Sequence, residues 1–151
     1  MKLKFHFRSL EKRLHLTNKK TPTFSLENET KLCKVVDVYD GDSCKVAFSL
    51  NGDIYKWNIR MDGYDSPEMR PSKSKPNREA EKAAALEAKE YLKSLIMKDG
   101  RLLYIKCGKF DKYGRLLGTL FIHKTDTISV NQLMINNGHG YEYHGGTKKP
   151  F

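Results

Sequence analysis

Two dipeptides, Asp40-Gly41 and Asn51-Gly52, constrain this chain more than any other feature of it. Each is a strong two-residue turn signal set between runs of strand character. KLCKVVDVYD precedes the first, SCKVAFSL lies between them, and DIYKWNIRM follows the second. In the last run Tyr55, Trp57, Ile59 and Met61 alternate with Lys56, Asn58, Arg60 and Asp62. The first run carries Cys33, Val35 and Tyr39 on one side and Val36 and Val38 on the other, the pattern of a strand buried on both faces. Together the three runs read as a meander with two tight turns.

REAEKAAALEAKEYLKSLIM, residues 78 to 97, is the clearest helical stretch, with Ala84, Leu86 (or Ala88), Tyr91, Leu92 and Leu95 near one face. Asp99-Gly100 ends it. RLLYIKCGKF and RLLGTLFI form a hairpin around DKYG, and SVNQLMINNG gives a short helix closed by Gly138. RPSKSKPN, residues 70 to 77, has two prolines and no period, and reads as a mobile basic loop. Three strands, a helix and two strands suit an α+β, mainly β fold. Its leading form is a five-stranded OB-type barrel with the long helix between strands three and four and a short helix after strand five. A split α+β sheet is the alternative. Residues 1–30 read as a basic N-terminal extension with a short helix around Leu10 to Leu16, residues 31–144 as the folded domain, and residues 145–151 as a basic tail.

With 151 residues, the chain is sized for one domain with a buried core. Its 28 Lys plus Arg against 18 Asp plus Glu favour a polyanionic partner, although a merely soluble basic protein has the same balance. Seven of the basic residues fall in the first twenty positions, against the single acid Glu11, so much of the charge sits on the extension. No apolar run is long enough to span a membrane, and the N-terminus lacks the apolar stretch of a secretory signal. Cys33, Cys44 and Cys107 include no C-x-x-C pair, which argues against zinc or a disulfide framework and for core thiols. An intracellular setting is expected from these features.

The charge balance makes one stretch conspicuous. IRMDGYDSPEMR, residues 59 to 70, gathers Asp62, Asp65 and Glu68 beside Arg60 where a strand ends. DSPE has the form of a helix capping box, but the EMRPSKSKP that follows cannot carry a helix far. A turn stiffened by Pro67 would instead set Asp65 and Glu68 on one side, with Arg60 in reach. Asp42 opens a strand, where aspartate is disfavoured, and the neighbouring turn needs only Asp40 and Gly41. Asp42 and Asp65, with a backbone carbonyl, would make a poor zinc site but a workable open site for a hard cation such as calcium. DKYGR, residues 111 to 115, taken alone is a hairpin loop with a left-handed Gly114 and a solvated Arg115.

DGD at 40–42, IRMDGYDSPE at 59–68 and DKYGR at 111–115, in this order around a helix and with VNQLMINNG after the hairpin, resemble the staphylococcal (micrococcal) nuclease family, the thermonuclease-like domains. The likeness runs from about Lys34 to Tyr143. It implies an OB barrel with added helices, and it assigns roles residue by residue. Asp42, Asp65 and the Ser66 carbonyl would be the calcium ligands, with Asp40 supporting them. Arg60 and Arg115 would be the catalytic arginines, and Glu68 the general base or water-orienting acid. Lys112 and Tyr113 would contact a terminal phosphate, and Tyr141 and Tyr143 would line the nucleotide site. The basic extension has no counterpart in the family pattern, and the loop after Glu68 is shorter.

The resemblance therefore implies a monomeric, calcium-dependent nuclease of low sequence specificity. It would hydrolyse DNA and RNA, favour single strands, cleave the bond to the 5′ oxygen and leave 3′-phosphate ends. The rival is a catalytically silent nucleic-acid-binding OB module of the same descent. A basic domain that scaffolds other proteins has only charge in its favour.

Overall fold

A computed structural model of the chain describes residues 2–151, with side chains described from residue 7 onward. The meander is present: β1 (Thr30–Asp40), β2 (Ser43–Leu50) and β3 (Asp53–Met61) pair antiparallel in sequence. A two-residue strand, β4 (Tyr64–Asp65), leads to the long helix α2 (Arg78–Ile96) and a 3-10 turn at Lys98–Gly100. Strands β5 (Leu102–Phe110) and β6 (Leu116–Phe121) form the later hairpin; the short helix (Val130–Asn136) and β7 (Tyr141–Glu142) follow. Strands β1-β2-β3-β6-β5 close into a barrel, sealed by β5 against β1 and by the parallel pairing of β3 with β6. This is the five-stranded mixed barrel expected, not a split sheet. No helix is long and apolar enough to cross a membrane among the described residues.

The two meander turns use glycine for different reasons. Asn51 (φ 52°) and Gly52 (φ 89°) both take the left-handed conformation that the tight hairpin turn requires. Gly41 has no such backbone, and space decides its identity. A Cβ there would lie 2.8 Å from Ala88 Cβ on α2 and 2.9 Å from both Cβ and Oγ of Ser66. The glycine thus lets α2 and the 65–68 turn close over the end of β1.

β1 is not buried on both faces as its apolar residues suggest. Its register against β2 shifts between Val35 and Asp37 and again between Val38 and Asp40. Such bulges change which residues point inward. Cys33, Val35 and Val38 therefore all enter the core, while Val36 and Tyr39 are exposed. On α2 the expected Ala88 and Leu92 are buried and Tyr91 and Leu95 pack against the core, but Leu86 is exposed, and Glu81, Ala85 and Ile96 join the buried face.

Before β1, helix α1 (Lys2–His15) extends beyond the short helix expected around Leu10 to Leu16. Leu26 is already part of the core, and Asn28 N–H and Cys107 N–H exchange hydrogen bonds with Cys107 O and Glu29 O (2.8 Å each). All three cysteines are free and buried. Burial foremost pushes the thiols of Cys33 and Cys107 up to about 12 and about 11, and raises that of Cys44 as well. They are inert core groups.

The short helix, α3, begins at Ser129, whose hydroxyl accepts from Gln132 N–H, and it closes at Gly138 (φ 76°). Its buried Asn131 accepts from Leu120 N–H (3.0 Å) and donates to Asp62 O (2.8 Å) and Gly118 O (2.9 Å). One amide thereby ties α3, β6 and the end of β3 together.

Candidate active site

Strand register brings the chemical residues together. Ser43 on β2 faces Arg60 on β3, so Asp42 lies beside Arg60 at the end of the pair. On the other side of β3, Arg60 pairs with Leu117, and Arg115, just before β6, lines the same cavity as Arg60. Met61 N–H donates to Asp42 O (2.8 Å) and Asp62 N–H to Gly118 O (2.9 Å), fixing β3 at the level of both neighbours. Tyr64 then turns back into the core. Its hydroxyl donates to Gly41 O at 2.6 Å, pinning the 40–42 turn to the 65–68 turn.

The carboxylates are held by short bonds. Asp42 Oδ2 accepts from both the backbone N–H and the hydroxyl of Ser66 (2.9 Å each), and Asp42 Oδ1 accepts from the Ser43 hydroxyl (3.1 Å). Asp42 N–H donates to Asp40 Oδ1 at 3.1 Å. Burial foremost, and then the charge of Asp42, raises the Asp40 carboxyl to about 6. Arg60 makes a fork between backbone and acid. Nη1 donates to Met61 O and Tyr64 O (3.0 Å each), and Nη2 donates to Asp65 Oδ1 (3.1 Å) with Asp42 Oδ2 at 3.5 Å. Asp42 and Asp65 are 7% and 2% exposed, so two nearly buried carboxylates meet at one guanidinium nitrogen.

Asp42, Arg60, Asp65, Glu68, Arg115 and Lys148 all line one cavity of about 420 Å³. A second, of about 580 Å³, is lined by Arg60, Arg115, Lys112, Tyr113 and Tyr143. The two arginines border both, so the acidic and the basic-aromatic halves of the site adjoin. The 111–115 loop is built by Asp111. Its Oδ1 accepts from Tyr113 N–H and Arg115 N–H (2.9 Å each), and its Oδ2 pairs with Arg115 Nε at 2.8 Å. Burial works to raise the Asp111 carboxyl, but the Arg115 backbone bond, the Arg115 guanidinium and the Tyr113 backbone bond together hold it below the usual range. Gly114 (φ 79°) is left-handed as expected, and the Tyr113 ring lies under both Lys112 Nζ (5.1 Å) and Arg115 Cζ (5.4 Å).

Tyr141 stands apart from Tyr113 and Tyr143. It lies edge-on to Tyr143 with centroids 6.3 Å apart, but its hydroxyl is 3.2 Å from Asp65 Oδ2 and its face is covered by Phe151 at 5.0 Å. Burial foremost, and the nearby Asp65, raise the pKa of this phenol against the opposing Lys149 backbone bond.

Three further residues matter that no motif marked. Glu81 on α2 is 3% exposed; its Oε1 accepts from Glu68 N–H (3.2 Å) and its Oε2 lies 2.6 Å from Lys75 Nζ. It thereby anchors both the Pro67 turn and the basic loop. A corrected helix phase would have revealed it, since Glu81 precedes Ala85, Ala88, Leu92 and Ile96 on one face. Tyr64 was legible only as part of the turn. Lys148, in the polar tail, carries no sequence signal of its own.

The donor set suits a hard cation. The Asp42 and Asp65 carboxylates are oxygen ligands of the kind calcium takes, Ser66 is bonded to Asp42 through its N–H and hydroxyl, and the cysteines are sequestered in the core. Among the described residues no group of three His, Cys, Asp or Glu side chains is placed to hold a metal ion, and Asp42 and Asp65 supply two carboxylates. Other ligand positions would fall to water and substrate. A cation already sits against the acids, because Lys148 Nζ is 3.1 Å from Asp65 Oδ1 and 3.9 Å from Glu68 Oε1.

A closed five-stranded barrel brings Arg60, Arg115, Asp42, Asp65 and Glu68 to one cavity, the arrangement expected of a staphylococcal-nuclease type of domain. The family described as staphylococcal nuclease homologue matches residues 58–149, and the chain belongs to that family. The match includes Arg60, Asp65, Ser66, Glu68 and Arg115, and the barrel adds Asp40 and Asp42 from outside it. No curated protein matches the chain.

Proposed function

We propose that the chain is a calcium-dependent phosphodiesterase that hydrolyses DNA and RNA with little sequence preference, cleaving the bond to the 5′ oxygen and leaving 3′-phosphate ends. The observation that carries this reading is the meeting of Asp42, Asp65 and Arg60, with Glu68 and Arg115 on the same cavity. Asp42, Asp65 and the Ser66 carbonyl would hold the ion, and Asp40 braces Asp42 through its backbone N–H. The chemistry such an ion would supply is positive charge toward the substrate phosphate. Arg60 and Arg115 offset the charge that grows on the phosphoryl oxygens; a guanidinium fork engages two oxygens and stays protonated. Glu68 orients the attacking water and accepts its proton. Lys112 and Tyr113 bind a neighbouring phosphate, and Tyr143 and Tyr141 offer stacking rings that favour flexible single strands. The domain works as a monomer in this account, inside the cell.

Incubating the protein with plasmid and single-stranded DNA, with calcium or with chelator, tests the proposal. Cleavage only with calcium, yielding ends that a 3′-phosphatase makes extendable, is expected. DNA that is shifted but intact in both lanes would make the chain a silent binding module.

A further inference from the structure

The residues after β7 fold back across the acidic half of the site. Gly145 (φ 102°) and Gly146 (φ 88°) make the reversal in backbone conformations that other residues rarely adopt, and Gly146 O accepts from the Tyr143 hydroxyl at 2.9 Å. Beyond them Lys148 pairs with Asp65 (3.1 Å) and approaches Glu68 (3.9 Å). Lys149 N–H donates to the Tyr141 hydroxyl oxygen (2.8 Å), and Phe151 lies on the Tyr141 ring with centroids 5.0 Å apart. The segment thus covers two things at once: an oxygen of a cation-binding carboxylate and an aromatic face next to it.

We infer that residues 145–151 form a strap that competes with the divalent cation and is released by it. This rests on the reading of Asp42 and Asp65 as the calcium site. Asp65 Oδ1 already accepts from Arg60 Nη2 (3.1 Å), so the Lys148 ammonium is a second cation on that oxygen and a metal ion would be a third. Arg60 is also fixed on Met61 O and Tyr64 O, whereas Lys148 is half exposed and is the cation free to leave. Calcium at Asp65 therefore weakens the Lys148 pair. With Lys148 gone, the two hydrogen bonds between the Tyr141 hydroxyl and the Lys149 backbone are left to hold the strap there, and Phe151 can lift from the ring and open the Tyr141 face to a nucleotide base. The strap closes the site while the ion is absent and clears it when the ion is bound. The arrangement couples substrate access to calcium. The Lys148 side chain is 49% exposed, so replacing it leaves no cavity in the core.

Calorimetric titration of the full chain with calcium chloride tests this, comparing the wild type with Lys148→Gln and Lys149→Gln. The two variants lose the same charge, but the Lys149 ammonium lies over the Tyr141 ring (5.9 Å) and, among the described residues, makes no ion pair, whereas Lys148 pairs with Asp65. Lys148→Gln should bind calcium about fivefold or more tightly than Lys149→Gln, the size usual for coupling between linked sites. In the wild type, the proton cross-relaxation between the Phe151 and Tyr141 rings should disappear at calcium saturation. Equal affinities in the two variants, or a ring contact that survives saturation, overturn the strap while leaving the calcium site standing. If none of the three proteins binds calcium, the cation-site reading fails and the strap fails with it.

Discussion

Arg60 and Asp65, five residues apart in sequence, form an ion pair in which Nη2 lies 3.1 Å from Oδ1 and both side chains are largely buried. The same nitrogen also reaches Asp42 at 3.5 Å, and the other end of the guanidinium is fixed on two backbone carbonyls. Arg60 is therefore both a structural clamp and the cation closest to the two acids. A lysine could satisfy one of these contacts but not the set, because its point charge lacks the planar fork.

Glu81 acts through Glu68. Replacing it with alanine leaves the Glu68 N–H without its acceptor and Lys75 without its partner. Stability should fall by about 1–3 kcal/mol, the usual effect of stranding a buried polar group. The catalytic rate should fall by about 10–100-fold, as for other residues that orient an active group, with KM little changed. Glu81→Gln retains an acceptor oxygen and should restore much of both. Steady-state kinetics and urea unfolding provide the check, and a change confined to KM contradicts the positioning role.

Gly41→Ala probes the closeness of the two turns. The added methyl would meet Ala88 and Ser66 at 2.8–2.9 Å, and Ser66 holds Asp42. Overpacking of this kind costs about 1–3 kcal/mol. A lower urea midpoint with unchanged slope is expected, together with weaker calcium binding as Asp42 shifts. Unaltered stability would mean that the turns separate more easily than their packing indicates.

The Asp111–Arg115 pair makes a pH-dependent contribution. Burial tends to raise the Asp111 carboxyl, but the bonds from Arg115 and Tyr113 leave it lowered. A carboxyl lowered in the folded state adds stability above its unfolded value of about 3.9, and that stability is lost as pH falls through the folded value. The stability gap between wild type and Asp111→Asn should be widest near neutrality and narrow as the solution is acidified below about pH 4. Chemical unfolding across that range measures it. A gap independent of pH would show that the charge of Asp111 does not hold the loop.

The barrel was legible because its determinants are local. The Asn51-Gly52 turn, the alternation ending in Ile59 and Met61, and the Ser129 and Gly138 boundaries of α3 each announce themselves within a few residues. The bulges in β1 were not legible, since they depend on pairing with β2, and they decide that Val38 is inside and Tyr39 outside. Gly41 is the turn residue it looks like, but its packing role was not legible, for the same reason: Ala88 is far away in sequence. At the site, Asp42, Arg60, Asp65, Glu68 and Arg115 stand out because carboxylates and an arginine crowd one strand end and the three motifs occur together in one order. Glu81 and Lys148 look like ordinary surface charge until the fold brings them to the Pro67 turn and to Asp65.

The central claim is that two guanidiniums serve one scissile phosphate. Single-turnover cleavage of a short end-labelled single-stranded DNA at saturating calcium tests it most directly, with wild type, Arg60→Lys and Arg115→Lys compared under identical conditions. Each substitution should slow cleavage by about 10³-fold or more, the scale for an arginine on a transferring phosphoryl group, while DNA affinity changes only a few-fold. Cleavage by a folded Arg60→Lys or Arg115→Lys protein within about threefold of the wild-type rate would contradict it, since catalysis would then not require the fork.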